Sequence, residues 1–278
     1  MAKPLLTAPS APAVILPVFA EYQFHTVARE FVCAEHQHVN HEVICSDVGT
    51  YRCQLNRVSL ALPPRHLLLI KPGDLHADVS RPGDRFFAIQ FRLQRQAYPE
   101  ESIPLLIEQI APAQQVLNAE GLTLWPLLRQ MEEEMRVADE TSAMVQDALL
   151  REFFWRTVRA IPRELISPLF QQSSSAQHWL RSLNQLFCAH RHHHLTLTEM
   201  AEAMQVSERT LTSRCRELLN DSPSRAFMRY KMEHAMSLLT QSTMTVKEIS
   251  YTLGFANPYH FSRAFKMHFG VPPSKYRD

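Results

Sequence analysis

The stretch Val246-Lys247-Glu248-Ile249-Ser250-Tyr251-Thr252-Leu253-Gly254-Phe255-Ala256-Asn257-Pro258-Tyr259-His260-Phe261-Ser262-Arg263-Ala264-Phe265-Lys266 decides how the chain is read. Val246, Ile249 and Leu253 fall three and four residues apart, the apolar stripe of a short helix that buries one face. Gly254 follows where that helix must stop, because glycine takes a positive φ without a side-chain penalty. Phe261 and Phe265, four apart, face back toward the stripe from a second helix and leave Ser262, Arg263 and Lys266 on the other side. A helix-turn-helix needs that division: its inner face holds the angle while its outer face enters a major groove.

The same rhythm occurs earlier, from Leu197 to Arg214. Met200 and Met204 form the first stripe, Leu211 and Cys215 the second, and Ser207 is placed to cap the second helix. Gln205 stands where the later copy has Gly254. Asn220 stands where it has Gly270, and asparagine is the next most tolerant residue for a left-handed position.

Two such motifs joined by a helix, closing with Phe269-Gly270-Val271-Pro272-Pro273-Ser274-Lys275-Tyr276-Arg277, resemble the C-terminal domain of AraC/XylS-type transcription regulators. The likeness spans roughly Leu195 to Arg277. It implies a first motif over about 197–219, a linking helix over about 222–240 and a second motif over about 245–268, with two recognition helices entering successive major grooves. The linking helix turns Phe227, Tyr230, Met232, Ala235, Met236 and Leu239 inward.

Charge divides along the same line. The formal balance of the 278 residues is +1, yet from Ala176 onward there are 13 Lys and Arg against 8 Asp and Glu, a balance of +5. The preceding residues hold 16 against 20, a balance of −4. A basic end joined to an acidic partner domain is the footprint expected when one end meets phosphates.

No run reaches the eighteen or so apolar residues a membrane helix requires, so a membrane partner is not expected. Residues 1–20 read as a flexible leader rather than a signal peptide, since Pro4, Pro9, Pro12 and Pro17 break the apolar run of the first seventeen. The five cysteines, Cys33, Cys45, Cys53, Cys188 and Cys215, contain no Cys-x-x-Cys pair. Neither a disulfide framework nor a zinc finger is indicated, and a reducing cytoplasm is the expected setting.

Residues 21–170 speak in a shorter period. Strand-length runs such as Leu67-Leu68-Leu69-Ile70 and Phe86-Phe87-Ala88-Ile89-Gln90-Phe91 alternate with turn signals, among them Lys71-Pro72-Gly73-Asp74 and Arg81-Pro82-Gly83-Asp84. Many short strands at this spacing predict a β-sandwich or a jelly-roll barrel, which with the helical C-terminal part makes an α+β chain. Residues 171–175, Gln171-Gln172-Ser173-Ser174-Ser175, have the polar composition of a flexible linker. A DNA-binding domain over 176–278 opens on a helix carrying Trp179, Leu180, Leu183, Leu186 and Phe187. The cluster His190, His192, His193 and His194 reads as a solvated bend, with metal binding the less expected alternative.

Within the strand region lie His36-Gln37-His38-Val39-Asn40-His41-Glu42, then Gly49, then Pro72-Gly73-Asp74-Leu75-His76. This spacing resembles the two cupin motifs, although Ser80 stands where the second often ends in asparagine. The resemblance implies that His36, His38, Glu42 and His76 project together into a cupin-like barrel. The residues leave two readings open: these side chains line an effector pocket, or they hold a divalent metal such as Fe, Mn, Ni or Zn.

Two helical stretches follow. One carries Leu124, Leu127, Leu128, Met131 and Met135, with Glu132-Glu133-Glu134 toward water. The other carries Val145, Ala148, Leu149, Phe153, Trp155 and Val158. Packing on the barrel and a homodimer interface explain such stripes equally well.

Joined together, the halves predict a one-component regulator: a small effector in the barrel, double-stranded DNA on the paired motifs, and activation through RNA polymerase, as the resemblance implies. Arg209, Thr212, Ser213 and Arg216 are expected to point outward from the first recognition helix, with Thr210 near the backbone. From the second, Tyr259, Ser262 and Arg263 are expected at base edges and His260 and Lys266 at phosphates. A cupin enzyme with a DNA-binding tail, a metal-responsive regulator and a thiol sensor using Cys33, Cys45 or Cys53 are the alternatives. No acid, base or nucleophile beyond the ligand set supports the enzyme.

Overall fold

The structure, a computed structural model, describes residues 15–95 and 98–276. The chain folds into two units, Ile15–Gln172 and a C-terminal one beginning at Ser173. Strand β1 (Ile15–Thr26) already occupies the end of the predicted leader, whose first fourteen residues lie outside the described ones. Its outer residues are held by long antiparallel pairing with β8 (Arg85–Arg95), from Ile15 opposite Arg95 to Thr26 opposite Arg85.

The first unit is built on two antiparallel sheets and not on a closed barrel. Besides β1 and β8, its strands are β2 (Phe31–His36), β3 (His41–Val48), β4 (Tyr51–Leu55), β5 (Val58–Leu62), β6 (His66–Ile70), β7 (His76–Ser80), β9 (Tyr98–Ser102) and β10 (Val116–Asn118). The larger sheet runs β1-β8-β3-β6-β10, with β9 paired to β8; the smaller runs β2-β7-β4-β5. Of the two architectures the strand pattern allows, this is the sandwich.

Strand alternation assigns the faces of the larger sheet. Ile44, Leu68, Ile70 and Phe86 meet Tyr51, Cys53, Leu55 and Leu62 of the smaller sheet, forming the sandwich interior. Their neighbours Val43, Cys45, Leu67, Leu69, Phe87 and Ile89 point the other way, into a core with Leu124, Leu127, Leu128, Met131, Leu150, Phe153 and Phe154. With both faces covered, β3 is buried from His41 through Asp47.

Turn chemistry sets the strand order. In both Pro-Gly-Asp turns the glycine has a positive φ, 81° at Gly73 and 92° at Gly83. The following aspartate accepts the N–H of the first turn residue, Lys71 to Asp74 at 2.9 Å and Arg81 to Asp84 at 2.8 Å. Asn56 and Arg57, both at positive φ, make the two-residue hairpin between β4 and β5. Asn56 donates to Asp74 at 2.9 Å, so this hairpin also steadies the turn that leads into β7.

Helices α1 (Trp125–Val137) and α2 (Ser142–Ala160) cover the outer face of the larger sheet. Glu132, expected in water, is half-buried. It accepts from Arg129 at 3.3 Å and Arg136 at 2.6 Å, while Arg129 also grips both oxygens of buried Asp47 at 2.8 and 3.1 Å. Arg85 of β8, 3.5 Å from the same carboxylate, helps draw the glutamate inward. Asp47→Asn is expected to cost about 1–2 kcal/mol in urea unfolding, because the carboxylate is buried while Arg129 stays partly hydrated. An unchanged midpoint would assign α1 docking to apolar contact alone.

The predicted linker is helical. Helix α3 (Pro168–Ala189) contains all of 171–175. Ser167 accepts the N–H of Phe170 at 3.1 Å near the start of the helix, and Gln171 folds back onto the carbonyls of Arg163 and Ile166 at 2.9 and 2.8 Å. These bonds satisfy Gln171, one of the polar side chains that made the segment look like a solvated tether.

The second unit continues with α4 (Leu197–Ala203), α5 (Glu208–Leu219), α6 (Pro223–Gln241), α7 (Val246–Thr252) and α8 (Pro258–Phe269). Two cores form, one per motif. Met200, Leu211, Cys215 and Leu218 pack with Trp179, Leu183, Phe187 and Phe227. Ile249, Leu253, Phe261 and Phe265 pack with Met232, Ala235 and Leu239. Helix α6 therefore contributes to both.

Candidate functional site

The two motifs are alike down to individual hydrogen bonds. Thr196 and Thr245 each cap a first helix in a reciprocal box: their backbone N–H groups donate to Glu199 at 2.7 Å and to Glu248 at 2.6 Å. Each helix ends on a positive φ, 54° at Gln205 and 70° at Gly254. The next N–H returns to the first helix in both, Val206 to Ala201 and Phe255 to Ser250, each at 3.0 Å. Ser207 and Asn257 then cap the recognition helices, accepting from Thr210 at 3.1 Å and His260 at 3.0 Å. The recognition helices finish on left-handed Asn220 and Gly270, as their equivalence in sequence suggested. The signal in the sequence for these caps is the repeated Thr-x-x-Glu, Thr196 to Glu199 and Thr245 to Glu248.

Pro258 occupies the first position of α8, where its missing N–H has no helical partner to lose. Tyr259, His260, Arg263 and Lys266 are exposed on this helix and Ser262 is half-buried; Tyr259 is 71% exposed. Among the described residues Arg263 forms no ion pair or side-chain hydrogen bond. On α5, Arg209, Ser213 and Arg216 are exposed and Thr212 is half-buried. The Thr210 hydroxyl shares a 2.8 Å bond with Ser207, which ties it to the cap.

Lys231 carries no sequence signal for its role. It sits on the inward side of α6, only 5% exposed, and its Nζ donates to the carbonyls of His193 at 2.5 Å and Leu253 at 2.9 Å. The ammonium also lies over the rings of Phe227 and Phe255. Burial pushes its pKa down to about 8. His192 approaches from the same loop, its Nδ1 2.5 Å from the carbonyl of Thr252. The histidine-rich bend is thus fastened to the turn of the second motif, which is more than the solvated loop expected of it.

In the first unit, the side chains singled out from the cupin-like spacing fall into two groups. His38 Nε2 lies 3.1 Å and His76 Nε2 3.5 Å from the same Glu42 oxygen. Ligating atoms of these three residues lie within 4.8 Å of one another; His36 instead groups with Cys33 and Asp78. His36 ends β2 and His38 lies in the loop beyond it, so the two do not share a strand. The His36 and His76 rings nevertheless face each other at 4.1 Å, because their residues pair across β2 and β7.

Each imidazole is anchored through Nδ1 near a backbone carbonyl: His38 at Asn40, 2.8 Å, His76 at Asp74, 3.3 Å, and His36 at Ala34, 2.9 Å. This leaves Nε2 of His38 and His76 toward Glu42, the second-sphere arrangement that metal-ligating histidines use. By donor chemistry the trio fits a divalent cation. Burial alone would raise the Glu42 carboxyl, but hydrogen bonds from His38 and His76 outweigh it and hold the pKa at about 2. The Glu42 hydrogen bond raises His38; at His76, burial lowers, and the Glu42 bond together with the charges of Asp78 and Glu42 and the Asp74 carbonyl outweighs it.

His41, adjacent in sequence, belongs to the opposite face. It stacks on Phe91 at 5.2 Å and accepts the N–H of Leu105 at 3.1 Å, a role that requires neutral imidazole. Burial holds its pKa down at about 4. A small apolar gap lined in part by Val43, Phe91, Leu105 and Phe153 lies on that same face, away from Glu42. The thiols of Cys45 and Cys53 are buried, and burial pushes both up, as expected of inert thiols.

Residues 200–278 match the helix-turn-helix domain family. This C-terminal segment is an AraC-type helix-turn-helix domain. Among curated proteins, the HTH-type transcriptional regulator CdhR of Pseudomonas aeruginosa is 36% identical over 83 residues, 30% of this chain and 25% of that one. The HTH-type transcriptional regulator GbdR of the same species is 29% identical over 126 residues, 45% of this chain and 34% of that one. The chain thus spans a quarter to a third of the length of these relatives. A solved transcriptional regulator from Chromobacterium violaceum, with an AraC-type DNA-binding domain, is 26% identical over 37% of this chain and 93% of its own, with a TM-score of 0.36. No described helix is long and apolar enough to cross a membrane.

Proposed function

We propose that the chain is a transcription regulator that reads duplex DNA with α5 and α8 and is controlled by a small effector bound in the N-terminal sandwich. The duplicated helix-turn-helix, with the same caps, the same turn and an open cationic face on each second helix, carries this reading. The +5 balance of the C-terminal part supports it, as do the names of the relatives. Activation through RNA polymerase follows the family pattern.

Arg209, Ser213 and Arg216 on one helix and Tyr259, Arg263 and Lys266 on the other form the reading heads, with Thr210, Thr212, His260 and Ser262 beside them. Arg263 is free to place its guanidinium against guanine O6 and N7. Arg263→Ala is expected to lose about 1–3 kcal/mol of discrimination at one base position. Competition binding of the full chain on a singly substituted operator series measures it. Equal weakening on every sequence would make Arg263 a phosphate contact, and an absence of salt-dependent duplex binding would remove the regulator reading.

The effector site we place at His38, Glu42 and His76, with His36 at its edge. The Nδ1 anchoring of the imidazoles favours a divalent metal as the bound species or as part of it. Purified full chain loaded with zinc is expected to retain one metal more than His76→Ala does. Equal retention by the variant would leave these residues as lining for an organic effector.

A further inference from the structure

The smaller sheet places Asp78 of β7 between Cys33 of β2 and Cys53 of β4, each a cross-strand partner. The strand that delivers His76 therefore carries a carboxylate with a thiol on either side. Cys33 Sγ lies 3.6 Å from Nδ1 of His36, and the ligating atoms of Cys33, His36 and Asp78 lie within 4.8 Å of one another. Oδ1 of Asp78 is buried and has no hydrogen-bond partner among the described residues, although the Tyr51 hydroxyl and the Cys53 thiol approach the same carboxylate group. A carboxylate oxygen shut from water without a donor is costly, and such atoms in native proteins are normally matched by a proton donor or a cation.

We propose that Cys33, His36 and Asp78 form a site for a borderline-soft divalent transition metal, separate from the His38, Glu42 and His76 cluster. A thiolate, an imidazole and a carboxylate suit zinc or cobalt, whereas calcium and magnesium take oxygen donors. Binding is a ligand exchange and not a redox step: the Cys33 S–H bond gives its proton to solvent, a metal–thiolate bond forms, and water leaves the metal. Nδ1 of His36 also meets the Ala34 carbonyl at 2.9 Å, a contact the metal replaces if it takes that nitrogen. With its ring 4.1 Å from that of His76, His36 stands between the two clusters, so filling one site bears on the other.

Cobalt(II) is the probe, because thiolate ligation gives a near-ultraviolet charge-transfer band that imidazole and carboxylate ligation do not. The full chain is reduced and carries Cys188→Ser, which removes the exposed thiol. The band is expected to rise to one equivalent, to survive His38→Ala and to fall to background in Cys33→Ser. No band, or an undiminished band in Cys33→Ser, would overturn the proposal. Should Cys33→Ser fail to fold, Asp78→Asn keeps the shape and the thiol and is expected to weaken cobalt binding about tenfold or more, as loss of a metal-site group does. Unaltered affinity there would equally overturn it. Duplex DNA binding measured on the same samples keeps this outcome apart from that of the regulator reading.

Discussion

Lys231→Ala is expected to destabilise the C-terminal unit by about 3–5 kcal/mol, from two additive causes. Deleting the buried stem leaves a void beside Phe227 and Phe255, and deleting the ammonium leaves the carbonyls of His193 and Leu253 without their shared donor. Lys231→Met separates these. It restores most of the volume and none of the hydrogen bonding, so it is expected to recover about half of the loss. Urea unfolding of the full chain and both variants provides the comparison. Full recovery by methionine would mean that packing alone holds the junction. The same lysine fixes the second motif's turn to the loop that enters the first. Binding to an operator with two half-sites is accordingly expected to suffer more than binding to either half alone.

Gly254→Ala is expected to cost about 3 kcal/mol or more, far beyond the same change at Gly270. Both glycines have a positive φ, 70° and 80°, and share the penalty for an L side chain in that region, about 1–2 kcal/mol. Their surroundings differ. A methyl group on Gly254 would lie 2.4 Å from the His192 carbonyl oxygen and 2.8 Å from its carbon, both backbone atoms, whereas Gly270 faces open space. The difference between the two alanine variants isolates the steric part, which neither residue's turn geometry contains. Equal losses would show that the His192 loop yields without cost.

Both predictions concern a junction that the sequence conceals. Gly254 is legible as a turn, because a stripe ending in Leu253 needs a residue of positive φ next. That it must also admit another segment's backbone is invisible without His192 beside it. Lys231 is harder still, since a lysine on a helix reads as solvated and its carbonyl acceptors lie 38 and 22 residues away along the chain. Glu132 is the same case in the other unit, drawn from water by arginines that include one on a strand. The run 171–175 misleads for a related reason: Gln171 looks like a linker residue until the carbonyls of Arg163 and Ile166 supply its partners.

The N-terminal cluster was half legible. Spacing named His36, His38, Glu42 and His76, and the Pro-Gly-Asp turn before His76 was plain. Pairing of β2 with β7 then set His36 against His76 at the edge of the trio and beside Cys33 and Asp78, a grouping that no linear motif contains. Asp78 carried no signal at all, because its meaning comes from the strands on either side.

What can be read from residue order here is whatever repeats within a few positions: helical stripes, positive-φ turns at Gln205, Gly254, Asn220 and Gly270, caps, and the charge contrast between the two halves. These follow from backbone geometry and side-chain period, which act locally. Which polar groups end up buried, and with what partners, depended on segments far apart in the chain meeting in the folded state. A lone lysine, aspartate or histidine has the same local preferences whether it faces water or a carbonyl, and only packing distinguishes the two.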